Sequence, residues 1–333
     1  MSGLLLLLHL KLSALQKLQE TANDILRKWW PNSPGFAASK RMESYEEVGR
    51  VSEIFIYPVK SCRGLAVEAA EVTPTGLKYQ ALMDRHWLVV NEKDHFLTAR
   101  QEPSLVLVTS SLAEDGSLCL DAPGKDTLRL PVNLEQGRLV HTKVFAVAGE
   151  GVDCGDEAAE WFSSYLNRPG TRLLFSASNC KKRDLKEWKM FAEFAETGDE
   201  VAFPDYAAFM MLSEASLDNL NAKLDLPVTI RNFRPNIVVT GCSPHAEDSW
   251  KSIRVGKAEF RRMKQCDRCV FTTIDPETGV KGEKEPLETL RLYRQAEGAM
   301  RKKVGTSPMF GSHLAADREG TIRVGDTVYA VVD

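Results

Sequence analysis

The chain lacks a phosphate-cradling glycine loop of either the P-loop or the dinucleotide-binding kind, and its 22 glycines are scattered at turns. That argues against a nicotinamide or flavin held on a Rossmann domain. It has no Gly-x-Ser-x-Gly elbow, which argues against that design of serine hydrolase. It has no excess of charge: 43 basic and 46 acidic residues leave a net charge of −3. Nothing global therefore points to nucleic acid. Cysteine is sparse and odd in number, seven in all, with one close pair. That is a poor disulfide framework and fits a reducing compartment, where paired cysteines point to metal or catalysis. No apolar run approaches the roughly 20 residues a membrane-spanning helix needs. Residues 4–8 are apolar, but His9 and Lys11 interrupt them and no signal-cleavage site follows.

What is present starts with 333 residues, 43% hydrophobic and 27% charged, enough for two ordinary domains. Leu8, Leu12, Leu15, Leu18, Ala22, Ile25 and Trp29 recur at three- and four-residue steps and predict an amphipathic helix. Lys11, Lys17, Arg27 and Lys28 lie off that stripe, so the helix either lies on a membrane surface or packs on the body of the protein. Residues 31–40, with two prolines, a glycine and two serines, read as a linker. Short β-rich runs follow at 51–59, 86–90, 105–109, 128–130, 139–147 and 172–175. A helix is expected over 157–166 and another over 213–224, the second capped by Ser213. Strands return at 236–240, 252–255, 258–263, 270–274 and 320–331, with hairpin turns at Gly256 and at Gly325-Asp326. Many short strands and few helices predict an antiparallel or mixed barrel, not a doubly wound sheet.

The chemistry concentrates at Cys266-Asp267-Arg268-Cys269. Four readings stand open. A dithiol redox pair needs a helix after it, whereas the following residues are β-branched. A zinc site becomes possible by adding Cys242 and His245 upstream. One cysteine could ligate a metal whose other ligands come from a bound cofactor. The fourth reading is two partly buried thiols with no chemistry. Elsewhere Lys60-Ser61-Cys62-Arg63, Asp84-Arg85-His86 and Arg231-Asn232-Phe233-Arg234 place cations at strand ends. In a chain without excess positive charge they predict a funnel for a phosphate-bearing anion. A further basic run, Lys181-Lys182-Arg183 with Lys186 and Lys189, reads as a solvated loop or as a docking patch for an acidic protein.

Tyr57-Pro-Val-Lys-Ser-Cys62, Asp84-Arg-His-Trp87, Thr98-Ala-Arg-Gln101, Asn232-Phe-Arg-Pro-Asn-Ile237, Cys266-Asp-Arg-Cys269 and Ser307-Pro-Met-Phe-Gly311 together resemble the MOSC-domain family, in particular its amidoxime-reducing members. So do Ala246-Glu-Asp-Ser-Trp250 and Lys284-Glu-Pro-Leu-Glu-Thr-Leu290, and the resemblance runs in order over residues 49–332. It implies a β-rich mixed α/β protein: an N-terminal helix and linker (1–48), a β-barrel-like domain (49–180) and a MOSC β-barrel domain (181–333) with flanking helices. It implies a molybdenum-molybdopterin cofactor with Cys269 as metal ligand and catalytic residue. The cofactor would be held by Lys60, Ser61, Arg85, Arg234, Asn236, Asp267 and Arg268, with Asp205, Tyr206, Ala207 and His313 as further contacts.

The implied reaction is reduction of small N-hydroxylated compounds: amidoximes, hydroxamic acids and N-hydroxyguanidines. Electrons would come from NADH through cytochrome b5 reductase and cytochrome b5, on the cytosolic face of the mitochondrial outer membrane. Soft sulfur ligands suit such a metal, and guanidinium forks suit a phosphate. The family also admits a second role, a persulfide carrier on the same Cys269. The chain departs from the family pattern in three places. Its N-terminal helix is short and interrupted, Tyr206-Ala207 stand where hydroxyl residues occur, and His313 stands where a tyrosine is usual.

Overall fold

Strand formation in this chain follows period-two burial. In Trp250–Val255 and in Thr327–Val332 inward residues alternate with outward ones, so each strand gives one face to a core. The computed structural model describes residues 44–333, and the helix expected over 8–29 lies outside them.

Seven strands close a barrel: β1 (Glu46–Ile56), β2 (Phe209–Ser213), β3 (Ile237–Thr240), β4 (Trp250–Val255), β5 (Ala258–Asp267), β6 (Met309–Arg318) and β7 (Thr327–Val332). Their order around the barrel is β3-β2-β6-β5-β4-β7-β1, and β1 pairs back on β3 through Ile54 and Ile237 to remove the edges. Closure therefore joins a strand from the start of the described chain to six from its second half. All pairings are antiparallel except β2 with β3. That parallel pair needs a crossover, supplied by the helix Glu214–Asn221. Ser213 starts the helix, its hydroxyl accepting from the Ser216 backbone N–H at 3.1 Å. The turn between β4 and β5 is two residues long, with Gly256 at φ +58 where a side chain is disfavoured. Ile54, Ile237, Val239, Phe260, Val328 and Ala330 fill the barrel. Phe260 is wholly buried, so Phe260→Ala costs about 3–5 kcal/mol.

A second core forms beside the barrel. Trp87–Val90, Arg172–Phe175, Val147–Asp153 and Leu139–Val144 make an antiparallel four-stranded sheet. The helix Asp156–Tyr165 buries Ala158, Trp161 and Phe162 in a cluster with Trp87, Val89 and Leu173.

Two expected strands are not strands. Residues 105–109 lie mostly in a 3₁₀ turn, Pro103–Leu107, because proline at its start presets the turn backbone. Residues 270–273 also form a 3₁₀ turn: Thr272 and Thr273 donate their hydroxyls to the carbonyls of Cys269 and Val270 and outcompete a strand ladder. Among the described residues no helix is long and apolar enough to cross a membrane.

Candidate active site

β5 ends at Asp267, so Arg268 and Cys269 leave the barrel at its rim. They open into a cleft of about 380 Å³. All twelve residues singled out in the sequence line it: Lys60 and Ser61; Arg85; Asp205, Tyr206 and Ala207; Arg234 and Asn236; Asp267, Arg268 and Cys269; and His313 on β6. Ser61, Arg85 and Arg234 all have left-handed backbone, at φ +70, +51 and +56. For side-chain-bearing residues that conformation costs on the order of 1–3 kcal/mol each and clusters at functional sites.

The two cysteines are unequal. Cys266 is 6% exposed, packs among Phe55, Leu212 and Phe310, and burial pushes its thiol up. Cys269 is half-buried, and the Arg100 Nη1 lies 3.7 Å from its Sγ. The zinc reading is not realised: among the described residues no three His, Cys, Asp or Glu side chains gather to hold a metal. His245 instead sits against Asn219 and Tyr293. Cys62 is excluded as a nucleophile, since complete burial raises its thiol to about 12.

The cleft is strongly cationic. Lys60, Arg85, Arg100, Arg234, Lys264, Arg268 and Lys303 line it against only Asp205 and Asp267. Lys60 is buried and pairs with Asp205, and burial lowers its ammonium to about 8 despite that partner. Burial alone would raise the Asp205 carboxyl, but Lys60 and Arg100 outweigh it and hold it far below the usual range. Lys264 binds Asp267 at 2.5 Å. Arg234 donates from Nη1 to the Cys62 carbonyl at 2.7 Å, while its buried Nη2 has no partner. His313 likewise has a buried Nδ1 with no partner; burial, then Lys264 and Arg268, hold it neutral. A surplus of cations, an orphaned guanidinium donor and one accessible thiol fit a bulky anion that carries a thiophilic metal.

Several side chains expected to face a ligand are committed to the scaffold. Asn236 is fully buried; its amide donates to Phe55 O and Asp84 Oδ1 and accepts from Arg85 and Met210 N. Arg268 donates to the carbonyls of Phe310 and Phe233 at 2.7 and 2.9 Å. The Tyr206 hydroxyl donates to Phe191 O, so the residue offers the cleft a ring face. Arg183, read as part of a solvated basic loop, is 1% exposed and donates to Val144, Val147, Pro204 and Asp205 carbonyls. Lys182 is half-buried and donates to Ser176 and Ala177.

Sequence reasoning gave no role to Asp84, Arg100, Lys264 or Phe145. Asp84, 1% exposed, anchors Arg85 and the Tyr57 N–H. Arg100 was visible inside Thr98-Ala-Arg-Gln101, but only the fold brings it to Cys269.

Residues 48–169 match the MOSC N-terminal beta barrel domain, and residues 198–329 match the MOSC domain. The chain is 45% identical to mitochondrial amidoxime reducing component 2 of Bos taurus over 293 residues, 88% of this chain and 86% of that protein. It is 44% identical to mitochondrial amidoxime-reducing component 1 of Mus musculus, over 88% of this chain and 85% of that protein. To the corresponding component 1 of Homo sapiens the identity is 42%, over 91% of this chain and 87% of that protein.

Proposed function

Because this chain belongs to the MOSC-domain family of the amidoxime-reducing components, we propose that it is a molybdenum-cofactor oxidoreductase that reduces N-hydroxylated compounds. Amidoximes, hydroxamic acids and N-hydroxyguanidines are the substrate class. The observation that carries the reading is the Cys269 thiol opening beside Arg100 into a cleft lined by seven cations and two carboxylates.

Cys269 would supply the protein's thiolate to the metal. Arg234, with its unpartnered Nη2, and Lys60 and Lys264 provide charge and donors for the anionic pterin phosphate. When bound, the cofactor would supply the two-electron chemistry that, with two protons from solvent, turns an N–OH group into N–H and water. The protein's own contribution is positional. Arg268 and Asn236 fix the rim by tying β2, β3 and β6 to the Asp84–Arg85 pair. Tyr206 and Phe191 line one wall with aromatic rings, and Arg100 holds a cation 3.7 Å from the Cys269 sulfur.

Electrons come from NADH by way of cytochrome b5 reductase and cytochrome b5. The acidic haem protein docks on the exposed cations of the loop, Lys181, Lys186 and Lys189, with Arg183 serving the scaffold beneath. We place the protein at the cytosolic face of the mitochondrial outer membrane, in keeping with relatives named mitochondrial.

The test is elemental analysis of purified protein together with turnover of benzamidoxime. One equivalent of molybdenum, with both metal and activity lost in Cys269→Ser and activity largely kept in Cys266→Ser, is the expected result. Absence of molybdenum with cyanolysable sulfur on Cys269 would overturn it in favour of a persulfide carrier. Equal loss in both variants would point to a dithiol site.

A further inference from the structure

The turn between the strands Leu139–Val144 and Val147–Asp153 has two residues, Phe145 and Ala146. Phe145 takes φ +53 there. Glycine or asparagine adopts that conformation readily; a bulky aromatic residue is strained in it. The residue is 41% exposed rather than buried. An unfavourable backbone and an exposed aromatic ring coincide at one residue, and that residue lines the cleft. Local strain held at a cleft wall points to use.

The ring is also held still. Trp188 stacks on it at 5.5 Å with planes 23° apart, and Phe96 packs against it at 5.5 Å. The Arg100 guanidinium lies over it at 5.2 Å, and the same guanidinium has Nη1 3.7 Å from Cys269 Sγ and 3.7 Å from Asp205 Oδ2. Trp188 continues inward to Phe191 and Tyr206, at 5.2 and 5.7 Å. Met190, 46% exposed, extends the apolar lip outward. One side chain, Arg100, therefore spans from the lip to the reactive sulfur.

We propose that Phe145 and Trp188, with Met190, form a substrate subsite that selects N-hydroxylated compounds bearing a flat aryl group next to the N–OH carbon over small aliphatic ones. The aryl ring lies against Phe145, and the N–OH group then falls within reach of Arg100 and Cys269. With Trp188 stacked on it and Arg100 over it, the Phe145 ring offers its exposed edge, where edge-to-face packing and the buried apolar area favour a planar ring. An alkyl amidoxime enters the same cleft without that contact, so selectivity is a matter of binding and not of the chemical step. This inference rests on the reductase reading.

The experiment uses Phe145→Asn, which removes the ring while placing a residue suited to the left-handed turn, so folding is not compromised. KM and kcat for benzamidoxime and acetamidoxime are measured on molybdenum-loaded protein with a chemical reductant. The aryl-to-alkyl KM ratio is expected to rise about fivefold, the worth of one aromatic contact. In parallel, saturation-transfer NMR follows benzamidine and acetamidine, which are not reduced, on the resting protein; benzamidine alone should weaken. Equal changes for both compounds, or none, overturn the subsite. In a second assay driven by cytochrome b5 in place of the chemical reductant, a rise confined to the KM for cytochrome b5 overturns it too, and makes the lip a docking surface. If wild-type protein reduces neither amidoxime, the reductase reading fails, while the benzamidine arm still reports on the lip.

Discussion

Arg100 brings its Nη1 to 3.7 Å from Cys269 Sγ although 169 residues separate the two in the chain. The same group faces Asp205 at 3.7 Å, so one guanidinium orders the thiol and the acidic end of the cleft together. Replacing Arg100 by Met should lower kcat/KM for benzamidoxime about tenfold or more, the worth of one charged contact. Molybdenum content, read on the same sample, should stay near wild type. Loss of the metal along with the rate would assign Arg100 to cofactor retention instead.

Asn236 should prove to be a scaffold residue. Its Nδ2 donates to Asp84 Oδ1 at 2.9 Å in a fully buried site. In Asn236→Asp a carboxylate would face a carboxylate there, and stability should fall by about 3–5 kcal/mol. Urea unfolding of apo protein checks this, with Asn236→Ser losing less.

The basic loop divides into two kinds of cation. Arg183→Glu strands four carbonyl acceptors in the interior and should abolish soluble expression. Lys181→Glu, Lys186→Glu and Lys189→Glu lie on exposed positions, Lys182 being half-buried. That triple variant should fold as wild type and lose cytochrome b5-driven turnover most at low salt, with chemically driven turnover retained. Unaltered cytochrome b5 kinetics would remove the docking proposal.

Acid should destabilise the fold through its buried imidazoles. Burial lowers His86, 5% exposed, to about 4, and His245 also to about 4. Between pH 6.5 and 4 the unfolded chain binds more protons than the folded one, so stability falls as pH falls through that window. At 1.4 kcal/mol per unit, His86 alone accounts for about 3 kcal/mol. Chemical unfolding at pH 7 and pH 4.5 should show a smaller pH-dependent loss in His86→Asn than in wild type.

Much of this protein was written in local sequence. Gly256 marks its hairpin, Ser213 its helix cap, and alternating burial its barrel strands. The cation-bearing motifs that line one cleft were each visible as short stretches, since each sits at a strand end. Local reading failed where side chains rewrote the backbone's choice. The hydroxyls of Thr272 and Thr273 turned a β-branched run into a 3₁₀ turn, and Pro103 did the same upstream.

The sequence by itself determined which chemistry could be present: a thiol pair, guanidinium groups at strand ends, and no nucleotide loop. It left the two cysteines as candidates until the family resemblance separated them. Tertiary structure decided what each group is free to do. It buried Cys266 and opened Cys269 to the cleft, set Arg100 beside it, spent the Asn236 amide and the Arg183 guanidinium on carbonyls and neighbours, and raised Phe145 at the lip. The physical reason is range. Caps, turns and strand periods depend on residues a few positions apart, whereas burial, the Arg183 and Arg268 anchors and the Arg100–Cys269 approach depend on contacts between residues 21 to 169 positions apart.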